Sequence, residues 1–352
     1  MNYPETLAWI HGTERFGSRL GLGRMGRLLH RMGDPHLKVP YIHVAGTNGK
    51  GSTTTMIASA LTAGGFKTGK FISPFILEFR ERMQIDGEMI PEEALAALAT
   101  RLRPIAEEFK AAGDPPTEFE LVTVLGLTWF AEAGCDIAVL EVGLGGRLDA
   151  TNIIPPPLVA VITRIDYDHT AILGDTLAAI AGEKCGILKR GSTVICYPDQ
   201  EEEALAVIRR RAKEEDDPLI LPDRTALSVL SADLTGSRIL YRGQEIFIPL
   251  PGPHQVLNTI TAVEALNALS SSRFALPPSA IAAGIAAARF PARLELLRQS
   301  PPVLVDGAHN PNGGRALCEA LKALGLHDLT AVVGMLRDKD CLPVLRMMAP
   351  YC

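Results

Sequence analysis

The sequence predicts an α/β protein with a largely parallel sheet, and three observations carry that expectation. Short β-branched runs alternate with stretches of helical periodicity along much of the 352 residues. A strand pattern over 41–45 runs straight into the glycine-rich segment Gly46-Thr-Asn-Gly-Lys-Gly-Ser52, which opens a helix. A second glycine-rich turn follows Glu141 where another apolar run stops, and open α/β sheets bind ligands at the carboxyl ends of their strands.

Taken in order, strands are expected at 41–45, 137–142, 158–163 and 193–196, with helices at 53–63, 92–112, 118–133 and 177–182. Each strand is a short apolar run and each helix carries apolar residues at helical spacing. From 228 to 250 the pattern changes to alternation broken at Gly236-Ser237 and Arg242-Gly243, which predicts a small antiparallel meander. A helix over 256–270 comes next. Phe290-Pro291-Ala292 reads as a domain junction, dividing the chain into 1–292 and 293–352. Beyond it, 303–306 and 330–334 are expected as two parallel strands flanking a helix over 313–324. That second unit has only 60 residues, against the ~100–150 of a common domain. It is therefore expected to be incomplete and the least stable part of the chain.

Composition narrows the function classes. A hydrophobic share of 47% and a charged share of 21% suit a large buried core. A net charge of −5 and a pI near 5.9 argue against a nucleic-acid partner, which would call for a basic face. No apolar run reaches the ~18 residues that span a bilayer, and Met1-Asn-Tyr-Pro-Glu-Thr6 lacks the features of a secretory leader. Six cysteines without a C-x-x-C pair suit reduced thiols. A cytoplasmic monomer without membrane partners is the expectation.

The loop before the first helix reads as an ATP phosphate cradle. Gly46, Gly49 and Gly51 free the backbone so that consecutive N–H groups and the helix start face phosphate, and Lys50 adds a point charge. The spacing departs from G-x-x-x-x-G-K-[ST]: Val44 occupies the first glycine position and Gly51 separates Lys50 from Ser52. Glu141, between Leu140 and Val142, would be a buried unpaired charge unless it holds a cation such as Mg²⁺; the alternative is a charge tolerated at a strand end. Asp166, Asp168 and His169 follow the strand at 158–163, and Lys184 lies in Gly182-Glu-Lys-Cys-Gly-Ile187. Alone, these would read as a structural histidine and a solvated helix-end lysine.

Six ordered segments are more specific than any one of them. Gly46-Thr-Asn-Gly-Lys-Gly-Ser52, Phe71-Ile-Ser-Pro74, Glu141-Val-Gly-Leu-Gly-Gly-Arg-Leu-Asp-Ala-Thr-Asn152, Asp168-His-Thr-Ala-Ile-Leu-Gly174, Glu183-Lys-Cys-Gly-Ile187 and Asp306-Gly-Ala-His-Asn-Pro311 resemble the folylpolyglutamate synthase/dihydrofolate synthase family of the Mur-ligase superfamily. The resemblance runs from about Leu20 to the C-terminus. It implies a P-loop, three-layer ATP-binding domain followed by a smaller Rossmann-like α/β domain.

The resemblance also implies roles. Thr47, Asn48, Gly49, Lys50, Gly51 and Ser52 would hold the ATP phosphates; Asn258, Arg293, Asp306 and His309 would complete the nucleotide site. Ser73, Glu141 and His169 would ligate magnesium, and Lys184 would be carbamylated by CO₂ to serve a second metal. Lys50, His169 and Lys184 would thus carry the catalysis. Leu20, Gly21, Leu22, Thr117, Glu118, Phe119, Glu120, Asp149 and Ala150 would bind the pteroate or folate, although a loop and a helix cap are equally good readings of those positions. Phe75 departs from the family, which has histidine after Ser-Pro.

No nucleophile elbow or Cys/His pair is evident. The implied chemistry is an acyl phosphate formed from the acceptor carboxylate and ATP, then displaced by the amine of L-glutamate. The alternatives are a Mur-type UDP-N-acetylmuramoyl amino-acid ligase and a regulatory P-loop ATPase with no amide product. The segment Ser73-Pro-x-x-x-x-x-Arg-Glu-Arg82 and the Leu148-Asp-Ala-Thr-Asn152 run weigh against the first.

Overall fold

The computed structural model describes residues 1–13, 21–336 and 341–352. Its centre is an eight-stranded sheet in the order β4-β3-β2-β5-β1-β6-β7-β8. The strands are β1 (Tyr41–Ala45), β2 (Thr68–Phe71), β3 (Met83–Ile85), β4 (Glu88–Met89), β5 (Ile137–Glu141), β6 (Val159–Ile162), β7 (Thr193–Cys196) and β8 (Leu219–Ile220). From β2 to β8 every pairing is parallel. The short β3 and β4 form an antiparallel edge. All five residues of β1 and of β5 are buried, as befits parallel strands covered on both faces.

The helices are α1 (Tyr3–His11), α2 (Gly23–Arg31), α3 (Lys50–Ala63), α4 (Glu92–Ala111), α5 (Glu118–Glu132), α6 (Thr170–Leu173), α7 (Leu177–Lys184), α8 (Glu202–Glu215), α9 (Pro253–Asn267) and α10 (Pro278–Ala287). Because strand side chains alternate, Ile42, Val44, Ile137, Val139, Val159 and Val161 meet α3, α9 and α10 on one face. On the other, Tyr41, Phe71, Ala138 and Leu140 meet α2, α4 and α5, while Ala160, Ile162 and Val194 meet α7 and α8. The result is three layers. A meander of β9 (Leu227–Asp233), β10 (Gly236–Tyr241) and β11 (Gln244–Ile248) adds Ile239, Tyr241, Ile246 and Ile248 to the first face. The expected elements up to the helix after the meander are all present, with ends shifted by up to three residues.

The C-terminal segment differs from the expectation. Its strands are β12 (Glu295–Gln299) and β13 (Pro302–Val305), an antiparallel pair with Glu295 opposite Val305. They are followed by α11 (Pro311–Ala323) and α12 (Cys341–Met348). The apolar run at 330–334 forms no strand, and Val332 is 99% exposed. A β-branched run becomes a strand only where a neighbour completes its hydrogen bonds, and among the described residues none pairs with it. The polar Glu295-Leu-Leu-Arg-Gln299 forms a strand because β13 lies beside it. A small apolar group around Leu294, Ala320 and Leu321 underlies this unit.

Candidate active site

Parallel pairing puts the carboxyl ends of β1, β2, β5, β6 and β7 at one edge of the sheet. The loops leaving them supply a cleft of about 410 Å³ whose lining includes 46–52, Ser73, Glu141, His169, Lys184, Asn258, Arg293, Asp306 and His309. Segments up to 264 residues apart meet there, as Asn48 and Asn312 do through a side-chain hydrogen bond.

The loop 46–49 is held in one shape. Gly49 has φ +85°, and a Cβ there would stand 2.5 Å from Asn258 Oδ1. Only glycine meets both demands without strain. The Thr47 hydroxyl donates to the Asp166 carbonyl at 2.9 Å and accepts from the Asp166 N–H at 3.0 Å, which braces the loop against the exit of β6. Lys50 Nζ lies back on its own loop, 3.2 Å from the Thr47 carbonyl. No side chain caps the start of α3, so its first N–H groups point into the cleft available to an anion. Gln255 Nε2 donates to Ser52 Oγ at 3.3 Å, and Asn258 Nδ2 donates to Gln255 Oε1 at 3.1 Å. Gln255 escaped the sequence reading; its spacing of three from Asn258 on α9 was the available signal.

Glu141 is 4% exposed and has no ion pair within 4 Å among the described residues. Burial pushes its carboxyl pKa up, against the pull of Lys50, the Ser73 N–H and Arg293. The Ser73 N–H donates to Glu141 Oε2 at 3.1 Å, and the buried Ser73 hydroxyl has no partner among the described residues. His169 is 44% exposed, adopts the left-handed conformation at the start of α6, and lies 3.8 Å from an Asp168 oxygen. Lys184 is buried, with Nζ donating to the Gly46 carbonyl at 2.7 Å. Burial, reinforced by the nearby Lys50, lowers its pKa to about 7.

The C-terminal unit closes over this edge. The Asp306 carboxylate accepts from the N–H groups of Leu294 and Ala308, both at 2.8 Å, and so shapes its own loop. The Arg293 guanidinium stacks 4.7 Å from the Phe290 ring centroid. Asn312 bonds to Asn48 and Asp166, and Asn310 donates to Asp168 at 3.0 Å. These asparagines were missed because nothing in the local pattern distinguishes them from a helix start. His309 Nδ1 donates to the Gly307 carbonyl at 2.9 Å, and the ring is exposed in the cleft wall.

A second cleft of about 290 Å³ adjoins the first. Gly21, Thr117, Phe119, Glu120, Asp149 and Ala150 line it, as do Arg82 and Leu148, which sequence reasoning did not single out. Leu22 and Glu118 do not line it, and Leu20 lies outside the described residues. Glu118 instead faces His11 at 3.2 Å. Thr117 and Glu120 form a reciprocal capping box at the start of α5, and Glu120 also pairs with Arg24 at 2.8 Å. Their cap reading is thus correct alongside their place in the cleft wall. Asp149 is buried and accepts from Leu144 N, Thr151 N and Thr151 Oγ. Since that hydroxyl spends its proton on Asp149, His43 Nε2, 2.8 Å from it, is the donor of that contact.

The family profile of the Mur ligase middle domain matches residues 44–266, and that of the Mur ligase glutamate ligase domain matches 292–351. The folylpolyglutamate synthase of Lacticaseibacillus casei is 39% identical over 97% of this chain and 81% of its own length. The chain belongs to the folylpolyglutamate synthase/dihydrofolate synthase family. The dihydrofolate synthase/folylpolyglutamate synthase of Bacillus subtilis is also 39% identical, over 96% of this chain and 80% of its own. The apo form of the L. casei enzyme superposes with a TM-score of 0.89 at 37% identity, covering all of this chain and 87% of that one. A folylpolyglutamate synthase complexed with AMPPCP and folate gives 0.90 at 37% identity, covering 100% and 88%.

Proposed function

We propose that this family member is an ATP-dependent ligase that joins L-glutamate to dihydropteroate, to folates, or to both, releasing ADP and phosphate. The observation that carries this reading is the junction of the two clefts along Ser73, Pro74, Gly143 and Leu144. An acceptor lying in the smaller cleft presents its carboxylate there to the γ-phosphate of ATP lying in the larger. The carboxylate oxygen attacks phosphorus, ADP leaves, and the acyl phosphate is then attacked by the glutamate amine, forming the amide and expelling phosphate. Lys50 and the N–H groups at the start of α3 stabilise charge developing on the transferring group. Asn258, Arg293, Asp306 and His309 hold the nucleotide. Thr117, Phe119, Glu120, Asp149 and Ala150 form the acceptor's wall.

The donors present fit magnesium. A buried carboxylate with an unpartnered hydroxyl beside it is a hard-oxygen pair, and Mg²⁺ needs only one or two carboxylates besides phosphate and water. Ser73 and Glu141 would hold it, with His169 from the next loop; bound there it would neutralise phosphate charge. Lys184 fits a second metal only after its amine adds CO₂ and loses a proton to become a carbamate. Its burial and low pKa favour the neutral amine this requires. Incubation with ¹³C-bicarbonate is expected to give a carbamate resonance that Lys184→Ala lacks.

We propose further that the chain divides at 292/293 and acts in the cytoplasm as a monomer. No helix among the described residues is long and apolar enough to cross a membrane. The deciding assay supplies ATP, Mg²⁺ and labelled glutamate with dihydropteroate and tetrahydrofolate as competing acceptors. Glutamyl product is expected; ATP hydrolysis without it would favour a regulatory ATPase.

A further inference from the structure

Arg82 is the last residue of the one-turn 3₁₀ segment Phe79–Arg82 that leads into β3, and it lines the acceptor cleft beside Ser73 and Pro74. Its side chain is only 12% exposed. Among the described residues Nε is buried without a partner, and the nearest carboxylate, Glu118, is 3.9 Å from Nη2, too far for a hydrogen bond. The neighbouring arginines are satisfied differently: Arg24 makes close contacts with Asp114 and Glu120, and Arg80 pairs with Glu78. Phe75 and Phe79 provide the platform under the guanidinium, with ring centroids 5.1 and 5.7 Å from its Cζ. The phenylalanine that replaces the family's histidine thus has a physical role here, as one wall of an arginine clamp.

A guanidinium taken out of water costs several kilocalories unless its donors are used, and its planar fork matches a carboxylate. Resting on the ligase reading above, we infer that Arg82 is the carboxylate-recognition residue of the acceptor cleft, holding an acceptor carboxylate at the junction with the nucleotide cleft. A benzoate-type acceptor offers one such group and a glutamyl acceptor two. The contact would select acids over neutral analogues of the same size and deliver the carboxylate beside Ser73.

The test is a binding cycle on the full chain. Dissociation constants for dihydropteroate and for its neutral carboxamide are measured for wild type, Arg82→Lys and Arg82→Met, with melting temperatures and KM for ATP alongside. Arg82→Met is expected to weaken the acid by about 10–100-fold, as loss of a charged hydrogen bond does, while leaving the carboxamide within about two-fold. Arg82→Lys should fall between, with KM for ATP unchanged. Equal weakening of acid and carboxamide, or no change in either, would overturn the assignment and leave Arg82 a structural stack on Phe75 and Phe79. If Arg82→Met does not fold, Arg82→Lys decides by the same acid-to-amide ratio. Failure of wild type to bind either compound would instead count against the ligase reading.

Discussion

At the scale of single residues, location decides which charges act and which merely brace. Lys50 is the first residue of α3 and, among the described residues, its ammonium makes one hydrogen bond, to the Thr47 carbonyl, so its removal should leave the fold intact. Lys50→Ala is expected to lower kcat by ~10²–10³ with an unchanged melting temperature, since it removes an electrostatic donor to the phosphoryl group. Near-normal turnover would remove it from the phosphate cradle. His43 is the opposite case: fully buried in β1, it has its pKa lowered to about 3, by burial first and then by Lys189. The unfolded chain takes up this proton near pH 6.5 and the folded chain refuses it until about pH 3. Its contribution is therefore complete above pH 6.5 and shrinks as pH falls, by ~2 kcal/mol at pH 5. Denaturant unfolding at pH 7.5 and 5 should show a smaller acid loss in His43→Gln than in wild type. An equal loss would mean that other groups carry the acid sensitivity.

At the scale of elements, the start of α11 serves two purposes. Asn310 caps it by accepting from Gly313 N at 2.7 Å, and also reaches Asp168 on the β6 side. Asn310→Ala should cost ~1 kcal/mol for the lost cap and raise KM for ATP by loosening the closure. Asn310→Ser separates the two effects, because serine can cap but cannot span to Asp168. Stability should recover while KM stays raised; recovery of both would show the bridge to be incidental. The capping box of α5 was legible from Thr117-Glu-Phe-Glu120, because a cap is local in sequence. The bridge to Asp168 was not, since it joins residues 142 apart.

Across the whole molecule, burial is unevenly spread. Every residue of β1 is buried, whereas β13 has none that is, and only a small apolar group supports the C-terminal unit. Hydrogen exchange should therefore be faster over 295–323 than over 41–45, because local opening there exposes little apolar surface. Saturating a non-hydrolysable ATP analogue should slow exchange over 306–316, which lines the nucleotide cleft. Equal protection of the two segments without nucleotide would contradict this ranking.

By itself the sequence determined β1, β5, β6 and β7 of the parallel core, the helices α3, α4, α5, α7 and α9, the glycine-rich loop, the family and a set of residues that line the cleft, but not β2, β8, α8 or α10. Those signals are local: periodicity, turn glycines and ordered motifs survive without knowledge of contacts. Only tertiary structure decided that Glu295-Leu-Leu-Arg-Gln299 would pair while the more apolar 330–334 would not, because a strand exists through its neighbour. It alone set Gln255 against Ser52 and Asn312 against Asn48. It also left Arg82 Nε buried beside Phe75 and Phe79 with no hydrogen-bond partner among the described residues, since whether a charge is satisfied depends on what the fold brings within 3.5 Å of it.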